Sequence, residues 1–198
     1  MGKLRTVYLA LLNKKEKIVK SAEIIEVIKD YDMKLNKISI KNALWYLSRY
    51  NYIKRIFLDY YYINSIEERE REYCNYEDKE LLFMILNKSK IRWYLGLSSA
   101  LYTLGRTWQT PNKLNIINNK ISGNKKILNM NVHFIKIKDS LIFGLKKGKT
   151  KNGIVFHYSN IAKTDLDMVY FRITEKISKD GETKKYLKKY PTWLQKLI

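Results

Sequence analysis

One cysteine, two prolines and eight glycines in 198 residues exclude several architectures at once. Cys74 has no second thiol with which to form an internal disulfide or a thiolate zinc site. So few prolines and glycines cannot supply a long flexible linker or a low-complexity tail. No apolar run approaches the ~18 residues a bilayer-spanning helix needs. Met1-Gly2-Lys3-Leu4-Arg5 leads straight into an amphipathic pattern without a signal-peptide core. The expectation is a cytoplasmic protein that does not engage membranes. Acidic residues are also scarce, 19 Asp+Glu against 39 Lys+Arg, which leaves a net charge of +20. What the chain does have is 45% hydrophobic residues, enough for one large core or two small ones.

The positive charge is uneven. Residues 1–66 hold 13 Lys+Arg and 6 Asp+Glu, residues 67–80 hold 3 and 7, and residues 81–198 hold 23 and 6. Such a field draws polyanions over long range and loosens with salt. Lysine outnumbers arginine 31 to 8, and lysines also simply solvate a surface. The acidic stretch Glu67-Glu68-Arg69-Glu70-Arg71-Glu72 reads as a solvated helix or connector, and 67–80 is the best domain boundary the sequence offers.

Before that boundary the apolar spacing predicts three helices and a hairpin. Leu4, Val7, Tyr8, Leu11 and Leu12 make one face of a helix over Lys3–Asn13. Ser21 caps a second, with Ala22, Ile24, Ile25 and Ile28 inward. After a polar turn at 30–36, Ser39 caps a third, running from Ile40 to about Tyr50 with Ile40, Ala43, Leu44 and Leu47 buried. Ile53–Phe57 and Tyr60–Ile63 are β-prone, with Leu58-Asp59 as the tip between them. That order is the signature of a winged helix-turn-helix. The fold class expected is α+β: this unit at 1–66, an acidic connector at 67–80, and a mixed α/β domain at 81–198.

Burying 40, 43, 44 and 47 leaves Lys41, Asn42, Trp45, Tyr46, Ser48 and Arg49 on the outer surface of the third helix. Arg49 and Lys41 suit guanine edges or phosphate, and Asn42 suits adenine. Ser39 and the N–H groups at the helix start suit a phosphate. Lys54 and Arg55 on the wing would meet flanking backbone. Trp45 either joins this face or packs against the wing or the second domain. Winged-helix units also dock proteins, and that alternative stays open.

In the second part the pattern predicts a helix over Glu77–Lys88, a short helix started by Ser98 or Ser99 and stopped by Gly105, and strands at Lys113–Asn118, Lys126–Lys138 and Gly153–Tyr158. A helix over Ile161–Ile173 and a basic amphipathic tail from Lys184 follow. Nothing there carries catalysis. Gly144-Leu145-Lys146-Lys147-Gly148-Lys149-Thr150 has three residues between its glycines where a phosphate-binding loop needs four, so it reads as a hairpin connection. Asp165 and Asp167, two apart on a helix, point to different faces. His133 and His157 sit on strands without a carboxylate or thiol cluster. No cofactor, metal or catalytic residue is expected.

Several short phrases occur in a telling order after the winged-helix segment: Tyr94-Leu95-Gly96, Ser99-Ala100-Leu101, Leu104-Gly105, Gln109, Pro111, the strand through Leu114–Ile117, Ile142-Phe143-Gly144, and Ala162-Lys163-Thr164 with Asp167. In order and spacing they resemble the AbiEi-type antitoxins, the transcription-regulator half of AbiE toxin–antitoxin systems. Two places depart from that pattern: the short helix ends Gly105-Arg106 where Gly-Leu is usual, and the tail is short and lysine-rich. The resemblance implies a repressor that binds inverted repeats in its own promoter, with two copies on the double-stranded operator. It further implies a cognate nucleotidyltransferase-like toxin, or that toxin's RNA target, as a partner, and it assigns no catalytic residue. An RNA-associated role for the basic second part is the alternative reading.

Overall fold

In a computed structural model the described residues are 2–31, 37–175 and 181–196, without the side chains of 2, 3 and 37–39. The chain is mixed α+β and divides into two compact units, residues 1–85 and 86–198. The division falls inside a helix, not in the acidic stretch 67–80, whose residues belong to the N-terminal unit.

The N-terminal unit opens with α1 (Gly2–Leu12), β1 (Ile18–Lys20), α2 (Ser21–Tyr31) and α3 (Lys37–Arg49). The hairpin β2 (Ile53–Phe57) and β3 (Tyr60–Ile63) follows, with Leu58 in the left-handed region at its tip. The three strands form an antiparallel sheet in the order β1-β3-β2. Val7, Leu11, Ile24, Ile28, Leu47 and Ile53 are among the residues that form its core. The expected turn at 30–36 lies largely outside the described residues. Ser21 is the first residue of α2, and its hydroxyl donates to the Asp59 carboxylate (2.6 Å), tying the helix start to the hairpin tip.

The acidic stretch is not wholly a wet connector. α4 (Ile66–Glu70) begins with a reciprocal capping box in which the Ser65 and Glu68 side chains each accept the other residue's backbone N–H. Glu68 is fully buried. Besides the Ser65 N–H at 2.7 Å, it accepts from the Tyr62 hydroxyl at 2.7 Å and the Asn75 N–H at 2.8 Å. Burial alone would raise this carboxyl. The backbone N–H groups of Ser65 and Asn75 and the Tyr62 hydroxyl outweigh it and hold Glu68 below its ordinary range. Burial and that same hydrogen bond push the Tyr62 phenol well up.

α5 (Asp78–Lys88) crosses into the C-terminal unit. There follow β4 (Trp93–Leu95), α6 (Leu97–Thr103), β5 (Leu114–Asn118), β6 (Gly123–Ile127), β7 (Met130–Lys136), β8 (Leu145–Lys149), β9 (Val155–Ser159), α7 (Ile161–Tyr170), α8 (Gly181–Leu187) and α9 (Thr192–Gln195). The six strands form one mixed sheet in the order β6-β7-β5-β4-β9-β8. β5 runs parallel to β7 and β4 parallel to β9, the other neighbours being antiparallel. Tyr94 and Ile117 pack against Leu166 and Val169 of α7, Leu187 of α8 and Leu194 of α9.

Two expectations need correction here. The strand expected over 126–138 is a hairpin, because Leu128 takes a left-handed φ of 51° and reverses the chain after β6. The glycine-bearing segment 144–150 is itself strand β8 rather than a connection; the turn comes later, at 150–154. The segment that holds the basic tail forms two short helices, α8 and α9.

Candidate nucleic-acid interface

α3 presents two parallel ridges to solvent. Lys41, Trp45 and Arg49 are spaced four apart, and so are Asn42, Tyr46 and Tyr50, while Ala43 and Leu47 are buried. From Lys41 to Arg49 the ridge runs about 12 Å at the helical rise per residue. Trp45 exposes 58% of its surface. Its ring meets Tyr46 edge-on at 4.9 Å, and Tyr46 stacks on Tyr50 at 6.3 Å. Cations and an amide therefore flank a short aromatic ladder. α3 begins at Lys37, so Ser39 lies within the helix and not at its cap, and its side chain falls outside the described residues.

The two hairpin cations separate. Arg55 is exposed and pairs across the sheet with Tyr61, on the face whose Ile53, Tyr61 and Ile63 join the helical core. Lys54 points the opposite way, as the next residue of a strand must. It sits beside Tyr62 and reaches the Asp78 carboxylate at 3.5 Å. Of the expected residues, Lys41, Asn42, Trp45, Tyr46 and Arg49 form one surface and Arg55 is exposed. Lys54 is spent on an ion pair on the sheet's other face.

The C-terminal unit hides a cluster that spacing alone did not flag. Lys163 and Asp167, one turn apart on α7, are both buried and ion-paired. The ammonium also donates to the Tyr190 hydroxyl (2.6 Å), which donates in turn to Asp167 (2.6 Å), and Tyr94 donates to the other carboxylate oxygen (2.9 Å). The Phe143 ring lies 4.9 Å from the ammonium. Burial lowers Lys163 and raises Asp167, each against the pull of its partner, and burial beside Asp167 drives both phenols up. Every polar atom is paired inside the cage and the charges are sealed from solvent, so the arrangement is a structural pin. Gly144 makes room for it: at φ +65°, an added Cβ would lie 2.8 Å from the Tyr186 ring. A lysine and an aspartate at i and i+4 were visible in the sequence. Their burial was not, because Tyr94 and Tyr190 arrive from distant segments.

A second polar chain joins α6 to the sheet. The Asn115 side-chain amide hydrogen-bonds the Ser98 hydroxyl (2.7 Å) and Nδ1 of His133 (3.3 Å). Asparagine stands between serine and histidine, so the imidazole cannot take the serine proton, and this is no nucleophile–base pair. Asp165 and Asp167 face differently, one half-exposed and the other buried. Among the described residues no group of three or more His, Cys, Asp or Glu is placed to hold a metal ion. Nor, among them, is any helix long and apolar enough to cross a membrane.

No protein-family model and no curated protein matches the sequence.

Proposed function

We propose that the protein is a DNA-binding transcriptional regulator whose N-terminal unit is a winged helix-turn-helix with α3 as its reading helix. The observation that carries this reading is the outer face of α3, where Lys41, Asn42, Tyr46 and Arg49 line up around Trp45 over a length that suits a major groove about 12 Å wide. The sheet order β1-β3-β2, with a hairpin tip beyond α3, supports it. Arg49 and Lys41 would donate to guanine or phosphate, Asn42 would pair with adenine, and Arg55 would brace the neighbouring backbone. Trp45 and Tyr46 would meet thymine methyls. Lys54, paired with Asp78, is left out of this assignment.

The narrower proposal is the antitoxin of an AbiE-like pair, silencing its own operon with two copies on an inverted repeat. It rests on the phrases around Tyr94, Ser99, Gly144 and Lys163. Two half-sites would multiply a modest affinity per copy.

The test is an electrophoretic shift of the full chain on its own upstream DNA. Lys41→Ala with Arg49→Ala should abolish the sequence-specific shift and leave the thermal midpoint where it was. Undiminished specific binding by that double variant refutes the assignment of α3. A second reading, association with RNA through the C-terminal unit, is favoured by that unit's 23 Lys+Arg against 6 Asp+Glu. Competition between operator duplex and transfer RNA for the full chain separates the two.

A further inference from the structure

A cleft of about 550 Å³ opens on the C-terminal unit beside the Ser98–Asn115–His133 chain. Its polar wall is that chain. Its apolar wall is Met168, Phe171 and Ile173, at and beyond the end of α7. The backbone explains why those three side chains converge. α7 stops with Arg172 in the left-handed region (φ 58°), while the Arg172 N–H returns to the Val169 carbonyl (2.9 Å) and the Ile173 N–H to that of Met168 (2.8 Å). This paired closure brings the residue after the left-handed position back against the last turn, Ile173 against Met168. Met168 and Phe171 are half-buried against the core on one side and line the cleft with the rest, and Ile173 is 54% exposed. Leu97, at the other side of the cleft, is also held at positive φ (52°).

We propose that this cleft binds single-stranded nucleic acid. One base would lie on the Phe171–Met168–Ile173 wall with its edge toward Ser98, Asn115 and His133, and a flanking phosphate would sit on Lys126 of β6, which pairs with Asn131 and so shares the sheet face of His133. The chemistry matches on each side. A cleft of this size belongs to the range that encloses small ligands. An unstacked base needs an apolar or aromatic wall and a mixed donor–acceptor edge, both of which a paired base in a duplex cannot use. Asn115 engages Nδ1 of His133, so Nε2 is the ring nitrogen available to the base. Exposed Arg172, between the lining residues Phe171 and Ile173, adds a second cation for the flanking phosphates. An acidic peptide would satisfy these cations yet leave the aromatic wall and the hydrogen-bonding edge unused. The proposal is independent of whether α3 reads duplex DNA.

The experiment measures fluorescence anisotropy of a labelled eight-nucleotide oligouridylate with the full chain. Ser98→Trp, which plugs the cleft, and Ile173→Glu, which places a carboxylate on its apolar wall, should each weaken binding at least tenfold. Lys126→Glu should weaken it more than Lys149→Glu, the same charge change on the opposite sheet edge. Lys41→Ala with Arg49→Ala should leave oligouridylate binding unaltered, so that failure here is distinguishable from failure of the duplex reading. Thermal midpoints of all variants are recorded alongside. Parental affinity in both Ser98→Trp and Ile173→Glu overturns the proposal. So do equal losses from Lys126→Glu and Lys149→Glu, and so does displacement of the probe by octaglutamate or a short RNA duplex as readily as by unlabelled oligouridylate.

Discussion

The N-terminal unit carries 16 Lys+Arg against 13 Asp+Glu, and the C-terminal unit 23 against 6, so the proposed reading helix and most of the positive charge lie in different halves. Net charge alone would pass over α3, the helix proposed to read bases. Attraction at a distance scales with the summed field, whereas base discrimination needs a few donors on a rigid element. The two halves also differ in how each keeps a buried carboxylate. Glu68 accepts hydrogen bonds from neutral donors, with the half-exposed Lys17 ammonium 3.9 Å away, and stays ionised more readily than usual. Asp167 faces an ammonium in a drier place, and burial raises it. The Lys163–Asp167 pair holds one proton whether it is ionic or neutral, so it adds little pH dependence across the neutral range. Glu68 does add one: its folded value lies below the unfolded one, so its stabilisation is complete above the unfolded range near 4.3 and is lost as pH falls through the folded value.

The largest effect that sharpens this contrast is Asp167→Ala. Leaving Lys163 buried without its partner should cost about 3–5 kcal/mol, whereas replacing both residues by apolar ones of similar volume should cost far less. Denaturant unfolding followed by a probe in each unit should show the loss in the C-terminal unit alone. Next comes Glu68→Gln, at about 1–3 kcal/mol for weakened hydrogen bonds to a former charge. It should destabilise the N-terminal unit and flatten its acid unfolding curve between pH 5 and the folded value. A curve as steep as the parent's would show that some other group carries the acid sensitivity.

Smaller still is Lys146→Gln with Lys147→Gln and Lys149→Gln on β8. If the C-terminal charge supplies the grip, the log–log salt slope of DNA binding should drop by about 0.9 for each lysine that neutralises a phosphate, with operator preference unchanged. A shift in preference with no change of slope breaks the division of labour. The smallest is Arg172→Gly, which relieves a left-handed non-glycine residue and should stabilise the C-terminal unit by at most about 1 kcal/mol. Differential scanning calorimetry measures it.

The N-terminal hairpin was legible residue by residue, because Ile53–Phe57 and Tyr60–Ile63 carry the β-prone side chains and Leu58-Asp59 marks the reversal. The inward stripe of α3 was legible for the same reason of period. β1 was not. Three residues, Ile18–Lys20, become a strand only by pairing with Tyr60–Tyr62 some 40 positions later, and no local pattern encodes that. The reversal at Leu128 was hidden because the left-handed residue there is not glycine. Among the residues of the proposed interface, exposure of Lys41, Asn42, Tyr46 and Arg49 followed from the stripe. The diversion of Lys54 depended on Asp78, 24 residues on, and Glu68 looked like one more solvated carboxylate until Tyr62 and Asn75 closed on it.

The strand order has a consequence for how the chain is made. Every strand of the small sheet finds its neighbour before residue 64 has emerged from the ribosome, but Leu95 of β4 meets its parallel neighbour only when Tyr158 arrives. Such long-range closure is slow, so the N-terminal unit should complete its fold while the C-terminal sheet is still half assembled. In stopped-flow refolding, the Glu68 region should therefore acquire protection ahead of the Tyr94 region, and a nascent protein would present the outer face of α3 before its cationic half is finished.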